Sequence, residues 1–83
     1  MKVAVRYFAS VREALGAGES VDVAEGSTVA DLRAALIARG GAYTEVLAHG
    51  RALRMALDHA MCRESSVIQP GSEVAFFPPV TGG

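Results

Sequence analysis

The sequence predicts an α+β domain in which one main helix lies across a mixed sheet of four to five strands. Three observations predict it. Stretches with strand patterning open and close the chain, at 1–8 and 73–77. A single stretch at 28–39 has helical spacing, a start signal and a glycine stop. The elements then follow as strand, short helix, strand, helix and further strands, with no internal repeat, linker or low-complexity segment.

Met1 to Phe8 alternates, with Val3, Val5 and Tyr7 on one face and Lys2, Ala4, Arg6 and Phe8 on the other. Ser10 stands three residues before Glu13, the spacing of a capping box, so a short helix is expected from Val11 to Leu15, stopped by Gly16. A second strand is expected at Ser20 to Ala24, with Val21 and Val23 inward and Asp22 toward solvent. Thr28 and Asp31 open the main helix and place a carboxylate at the positive end of its dipole. Val29, Leu32 and Leu36 share one face, Ile37 flanks them, Arg39 lies in the last turn, and Gly40-Gly41 ends the helix.

Ala42 to Ala48 reads as a further short helix closed by Gly50, and Met55 to Asp58 as a third strand. A turn at His59-Ala60 leads to a short fourth strand near Met61-Cys62-Arg63, and Pro70-Gly71 turns the chain into the last strand, Glu73 to Phe77. Both faces of that strand are apolar, Val74 with Phe76 and Ala75 with Phe77, whereas the main helix can cover only one. The other phenylalanine is left either to dock a partner or to lie under loops.

A chain of 83 residues makes one domain and buries only about 60 to 65% of the surface its unfolded form exposes, so its core must be dense. At 51% hydrophobic residues it can be. No apolar stretch reaches the ~20 residues of a membrane span, and the first residues run into a strand pattern rather than a signal sequence, so a cytoplasmic protein is expected, with no membrane partner. The single Cys62 forms no internal disulfide, which fits a reducing compartment. A formal charge of -1 without a basic run argues against nucleic acid as a partner.

The chemistry points to the tail. Phe77 precedes Pro78, which disfavours a helical backbone there, and Pro78-Pro79 holds the exit from the strand as a polyproline-like stem for Val80, Thr81, Gly82 and Gly83. The domain is therefore expected over 1–77, with 78–83 a flexible extended tail. Without Cβ atoms, Gly82 and Gly83 admit close approach by another protein's backbone. The Gly83 carboxylate is a poor electrophile; attack on the α-phosphate of ATP converts it to an acyl adenylate open to sulfur or nitrogen. Glycines also gather at frayed termini, so Gly-Gly alone is a moderate signal. The stiff stem in front of it strengthens the reading.

Val74-Ala75-Phe76-Phe77-Pro78-Pro79-Val80-Thr81-Gly82-Gly83 resembles the C-terminal signature of the small, sulfur-carrying subunit family of molybdopterin synthase, ubiquitin-like β-grasp proteins. The likeness extends more weakly to Tyr7-Phe8-Ala9 and Val11-Arg12-Glu13. It implies a β-grasp fold with the first and last strands parallel at the sheet centre. It implies adenylation of Gly83 by an ATP-dependent enzyme of the ubiquitin-activating type, then conversion to a thiocarboxylate by a persulfide donor. The charged tail would enter the large synthase subunit and give sulfur to cyclic pyranopterin monophosphate, within a dimer of large subunits carrying one small subunit at each end. Phe76, Phe77, Pro78, Pro79, Val80 and Thr81 would meet the partner. The chain itself would bind no cofactor, the ATP belonging to the activating enzyme, and would not be an enzyme on its own.

Two departures from that pattern are visible: Ser72 where an Asp is usual, and Asp58-His59 in place of an Asn-containing pair. Asp58, His59 and Cys62, with His49, form the one cluster of metal-like residue types, but the spacing lacks paired ligands and no metal is expected. A Cys62 nucleophile with His59 as base lacks an orienting third group. The glycines match neither a P-loop nor a dinucleotide fingerprint. Sulfur carriage for thiamine or cysteine synthesis, ubiquitin-like modification of lysines, and a plain binding module remain as alternative functions.

Overall fold

The computed structural model describes residues 1–48 and 50–79. In chain order these form β1 (Lys2–Tyr7), α1 (Ala9–Leu15), β2 (Gly18–Asp22), α2 (Val29–Ile37), α3 (Ala42–Leu47), β3 (Arg54–Leu57), β4 (Ala60–Met61) and β5 (Glu73–Phe77). The five strands make one sheet in the order β2-β1-β5-β3-β4. β5 sits in the middle and runs parallel to β1, with Val5 opposite Val74 and Tyr7 opposite Phe76; its pairing with β3 is antiparallel.

Period-two alternation decides which side chains enter the core. Val3, Val5 and Tyr7 of β1 and Val74 and Phe76 of β5 are buried on one face, together with Val29, Leu32 and Leu36 of α2 and Leu47 of α3. The expected stripe of the main helix is thus the stripe that meets the sheet. Thr28 and Asp31 form the capping box, with Asp31 N–H donating to Thr28 Oγ1 and Thr28 N–H to Asp31 Oδ2. Val29 and Ala30 N–H donate to the carbonyls of Ser66 and Glu64, so the loop after β4 satisfies the remaining donors of the first turn.

Several boundaries move, each for a local reason. α1 begins at Ala9 rather than Val11, and the Ser10/Glu13 capping box does not form: Phe8 is the N-cap, with no side-chain hydrogen bond. Phe8 N–H still donates to Phe76 O as an extension of the sheet, while its own carbonyl accepts from Val11 and Arg12. The chain therefore turns straight from strand to helix, with Ala9 in the left-handed region at φ 52°. β2 starts at Gly18, two residues early, because it pairs with β1 from Arg6 opposite Gly18 to Lys2 opposite Asp22. A Cβ at Gly18 would run into the Val5 carbonyl oxygen, so glycine permits that close pairing.

α2 ends at Ile37, which puts Arg39 beyond the helix in a closing turn rather than inside its last one. β3 and β4 are each displaced toward the N-terminus, and the turn between them is centred on Asp58 and His59, both at positive φ (49° and 69°). That is the backbone of a tight type I′ hairpin turn. α3 and β5 lie where the sequence places them, apart from the last residue of α3.

Candidate functional site

The sheet face opposite the core is uncovered where β5 ends. Ala75 and Phe77 of β5 are half-buried, Phe8 is 42% exposed, and Ala56 lies opposite Ala75 in the β3–β5 ladder. Together with Arg6, His59, Glu73 and Pro78 these residues line a concavity of about 620 Å³. Apolar floor and walls with a few polar groups at the margin make a surface suited to receiving another molecule.

The two phenylalanines proposed as partner contacts are divided by the strand's alternation. Phe77 points to the open face. Phe76 is fully buried, its ring stacked near Tyr7 with centroids 6.4 Å apart, so in the free chain it belongs to the core and offers no surface to a partner. Pro78 and Pro79 are half-buried at the root of the tail. Pro78 borders both the sheet-face concavity and a smaller one of about 390 Å³ that includes Val11, Val46 and Arg51. Val80, Thr81, Gly82 and Gly83 lie outside the described residues, as does His49.

The polar margin is organised around Glu73. Arg6 Nη1 lies 3.6 Å from Glu73 Oε1, and His59 Nε2 lies 3.3 Å from Glu73 Oε2. The Arg6 guanidinium also sits 5.8 Å from the centroid of the Phe8 ring. Asp58 Oδ1 accepts from Glu73 N–H at 2.9 Å and Oδ2 from the Ser72 hydroxyl at 3.0 Å, fastening the β3–β4 turn to the start of β5. The two departures from the family pattern, at 58–59 and at 72, thus touch one another across the fold. Asp58 is committed to this link.

The group Asp58, His59 and Cys62 does not converge. Among the described residues no three His, Cys, Asp or Glu side chains are arranged to hold a metal ion. Burial pushes the Cys62 thiol up, partly offset by a hydrogen bond with Ser66, which leaves it a weaker nucleophile than an ordinary cysteine.

Two clusters had no local signal in the sequence. Arg33 is 4% exposed; its Nε donates to Leu47 O at 2.7 Å, Nη2 to Ala48 O at 2.8 Å, and Nη1 pairs with Glu64 at 2.8 Å. It ties the end of α3 and the 64–66 loop to α2. On the other side, the Glu19 carboxylate accepts from Tyr7 (2.8 Å), Tyr43 (2.7 Å) and Arg39 (2.6 Å). Burial alone would push the Glu19 carboxyl up, but the hydrogen bonds from Arg39, Tyr43 and Tyr7 hold it below its ordinary value. Burial and the same carboxylate push the Tyr7 phenol well above the usual range. This network braces β1, β2 and α3 behind the site.

No helix among the described residues is long and apolar enough to cross a membrane. A model of the ThiS family matches residues 5–83. The molybdopterin synthase sulfur carrier subunit of Escherichia coli (strain K12) is 36% identical, over 98% of this chain and 99% of that protein. The protein of the same name from Mycobacterium tuberculosis (strain ATCC 25618 / H37Rv) is also 36% identical, over 100% and 99%. Among solved structures, SAMP1 (small archaeal modifier protein 1) from Haloferax volcanii superposes with a TM-score of 0.81 at 26% identity, over the whole of both chains. The sheet order, the parallel central pair and these matches agree: the chain belongs to the ThiS family and has the ubiquitin-like β-grasp fold.

Proposed function

We propose that this chain is the sulfur-carrying small subunit of a molybdopterin synthase. The observation that carries the reading is the placement of the tail root: Pro78 leaves β5 at the edge of an uncovered apolar face that includes Phe77. A protein covering that face stands where it can receive whatever the following residues deliver. The relatives' shared name supplies the chemistry delivered.

In this reading the Gly83 carboxylate attacks the α-phosphate of ATP on an activating enzyme and releases pyrophosphate. The outer sulfur of a persulfide donor then displaces AMP from the acyl adenylate to give an acyl disulfide, and a thiol reductant cleaves its S–S bond to leave the thiocarboxylate. The tail then enters the large subunit, where its sulfur adds to cyclic pyranopterin monophosphate and water hydrolyses the resulting thioester, freeing the Gly83 carboxylate; a second sulfur-loaded tail repeats the transfer and completes the dithiolene of molybdopterin. The chain contributes the acyl group and the docking surface, and its partners contribute the catalytic groups. Gly82 and Gly83 let the tail pass a channel closed to substituted residues. Pro78 and Pro79 reduce the ordering required upstream.

Ordering the last four residues costs roughly 4 to 8 kcal/mol in backbone entropy. Completing the burial of one phenylalanine returns at most about 1.5 to 3 kcal/mol. Most of the affinity must therefore come from the sheet face. The test is deletion of Gly83 in a reconstituted synthase. The fold and complex formation are expected to survive and sulfur transfer to vanish; transfer at the normal rate by the truncated chain rules the mechanism out.

The superposition on SAMP1 favours one second reading, attachment of Gly83 to lysines of other proteins. A ladder of conjugates on immunoblots of native cells, dependent on Gly83, is its signature.

A further inference from the structure

The face around Phe77 is chemically uneven, and the unevenness says what kind of surface fits it; this rests on the reading above that a tail-receiving protein covers the face. Glu73 is matched by Arg6 and His59, and Arg6 is engaged a second time over the Phe8 ring. At the far edge Lys2 stands opposite Asp22 in the β1–β2 ladder without an ion pair to any described residue, and away from Phe77. Arg54 is different. It lies directly opposite Phe77 in the β3–β5 ladder and is exposed, yet its guanidinium makes no ion pair, hydrogen bond or ring contact with any described residue.

Directly opposed residues on neighbouring strands have Cβ atoms about 4.5 to 5.5 Å apart. A partner that seats itself on Phe77 must therefore also flank or cover Arg54. Covering a guanidinium without offering acceptors strips its water and returns nothing, and the group is never neutral at physiological pH. The half-buried alanines 56 and 75, opposite one another in the same ladder, leave room beside Phe77 for an inserted side chain.

We propose that Arg54 is the charge-recognition residue of the docking face: the tail-receiving subunit inserts an apolar side chain over Ala56 and Ala75 and sets an Asp or Glu carboxylate against the Arg54 guanidinium. A carboxylate matches the planar fork of donors with two parallel hydrogen bonds. A polyanion such as RNA is disfavoured by Glu73 on the same face and by the chain's net charge of -1. A second copy of the chain would bring the same unmatched cation rather than its complement. Arg54 thus pairs this chain with its own large subunit.

The experiment measures association and dissociation rates of the full-length chain with the large subunit of the same organism, across a salt series, with folding of each variant verified by denaturation. At low salt, Arg54→Glu is expected to lower the association rate about tenfold and Arg54→Gln by less, the gap closing as salt is raised, because an exposed charge at an interface acts on encounter. Lys2→Gln, a cation on the same face away from Phe77, is expected to associate within about twofold of the unmodified chain at every salt concentration. Reversing the partner's matching carboxylate to lysine restores association with Arg54→Glu.

If Arg54→Glu associates like the unmodified chain at low salt while Phe77→Ala dissociates faster, the face docks as proposed and the charge assignment is overturned. Capture of single-stranded RNA by the unmodified chain, lost in Arg54→Glu, also overturns it. If the unmodified chain forms no complex with the large subunit and passes it no sulfur, both the assignment and the function beneath it fall.

Discussion

Phe76 and Phe77 are adjacent, chemically identical and on opposite faces of β5, so replacing each with alanine separates folding from docking. Phe76 is 0% exposed and stacks near Tyr7 at the centre of the core. Its truncation leaves a cavity between sheet and helices, and buried Phe→Ala changes cost about 3 to 5 kcal/mol. At roughly 0.05 to 0.15 kcal/mol per residue, an 83-residue domain has only about 4 to 12 kcal/mol in total. The midpoint of thermal unfolding should therefore fall by some tens of degrees, at about 4 to 8 °C per kcal/mol. Phe77→Ala removes a half-buried ring from the open face, and its expected cost to the isolated domain is no more than about 1 kcal/mol. Urea titrations followed by circular dichroism, with calorimetry against the large subunit, read both quantities. Phe76→Ala is expected to lose stability, and Phe77→Ala to keep its fold but bind more weakly. Equal stability losses, or a greater loss for Phe77→Ala, refute the division of β5 into a core face and a docking face.

Other expectations follow from the clusters behind the site. Arg33→Met keeps the volume but strands the Leu47 and Ala48 carbonyls, and should cost about 2 to 3 kcal/mol by urea denaturation; an unchanged midpoint contradicts the clamp. The Glu19 carboxyl is held below its ordinary value of 4.5, so its contribution is fully present above that pH and is lost as pH falls through the lower, folded-state value. Glu19→Gln should therefore lower stability at neutral pH and flatten the acid limb of the stability profile, and parallel profiles for the two proteins exclude the network's role. His59 occupies a positive-φ turn position, so His59→Gly should raise stability by roughly 0.5 kcal/mol, measured by thermal melting; a lower midpoint argues that its contact with Glu73 outweighs the relief of strain.

Much of the fold was legible because its signals are local. The alternation in β1 and β5, the Thr28/Asp31 capping box and the Val29-Leu32-Leu36 stripe each depend on residues within a turn or two, and each stands in the structure. What moved depends on distant partners. The start of α1 is set by Phe8 bonding to Phe76, and the extent of β2 by its register on β1. The positive φ at Asp58 and His59 goes with a link from Asp58 to Ser72 and Glu73, 14 and 15 residues away.

The candidate site shows the same division. Alternation alone says that Phe76 and Phe77 face opposite ways, but only the packing of α2 on β1 and β5 says which one is covered. Arg33 carries no sequence signal because its acceptors are backbone carbonyls at the end of α3. Nor does Arg54, whose significance depends on the register that sets it against Phe77. The Gly-Gly tail needs no tertiary contact to be noticed, since its stem and terminal glycines are contiguous in sequence.

The most direct test of sulfur carriage is intact-mass spectrometry of the chain isolated from its native cells under non-reducing, mildly alkaline conditions, with fragmentation to locate any change. A population heavier by the difference between sulfur and oxygen, localised to Gly83 and increased when the large subunit is deleted, is the predicted result. A Gly83 that bears only a carboxylate in those deletion cells, while the activating enzyme and sulfur donor are active, contradicts the account.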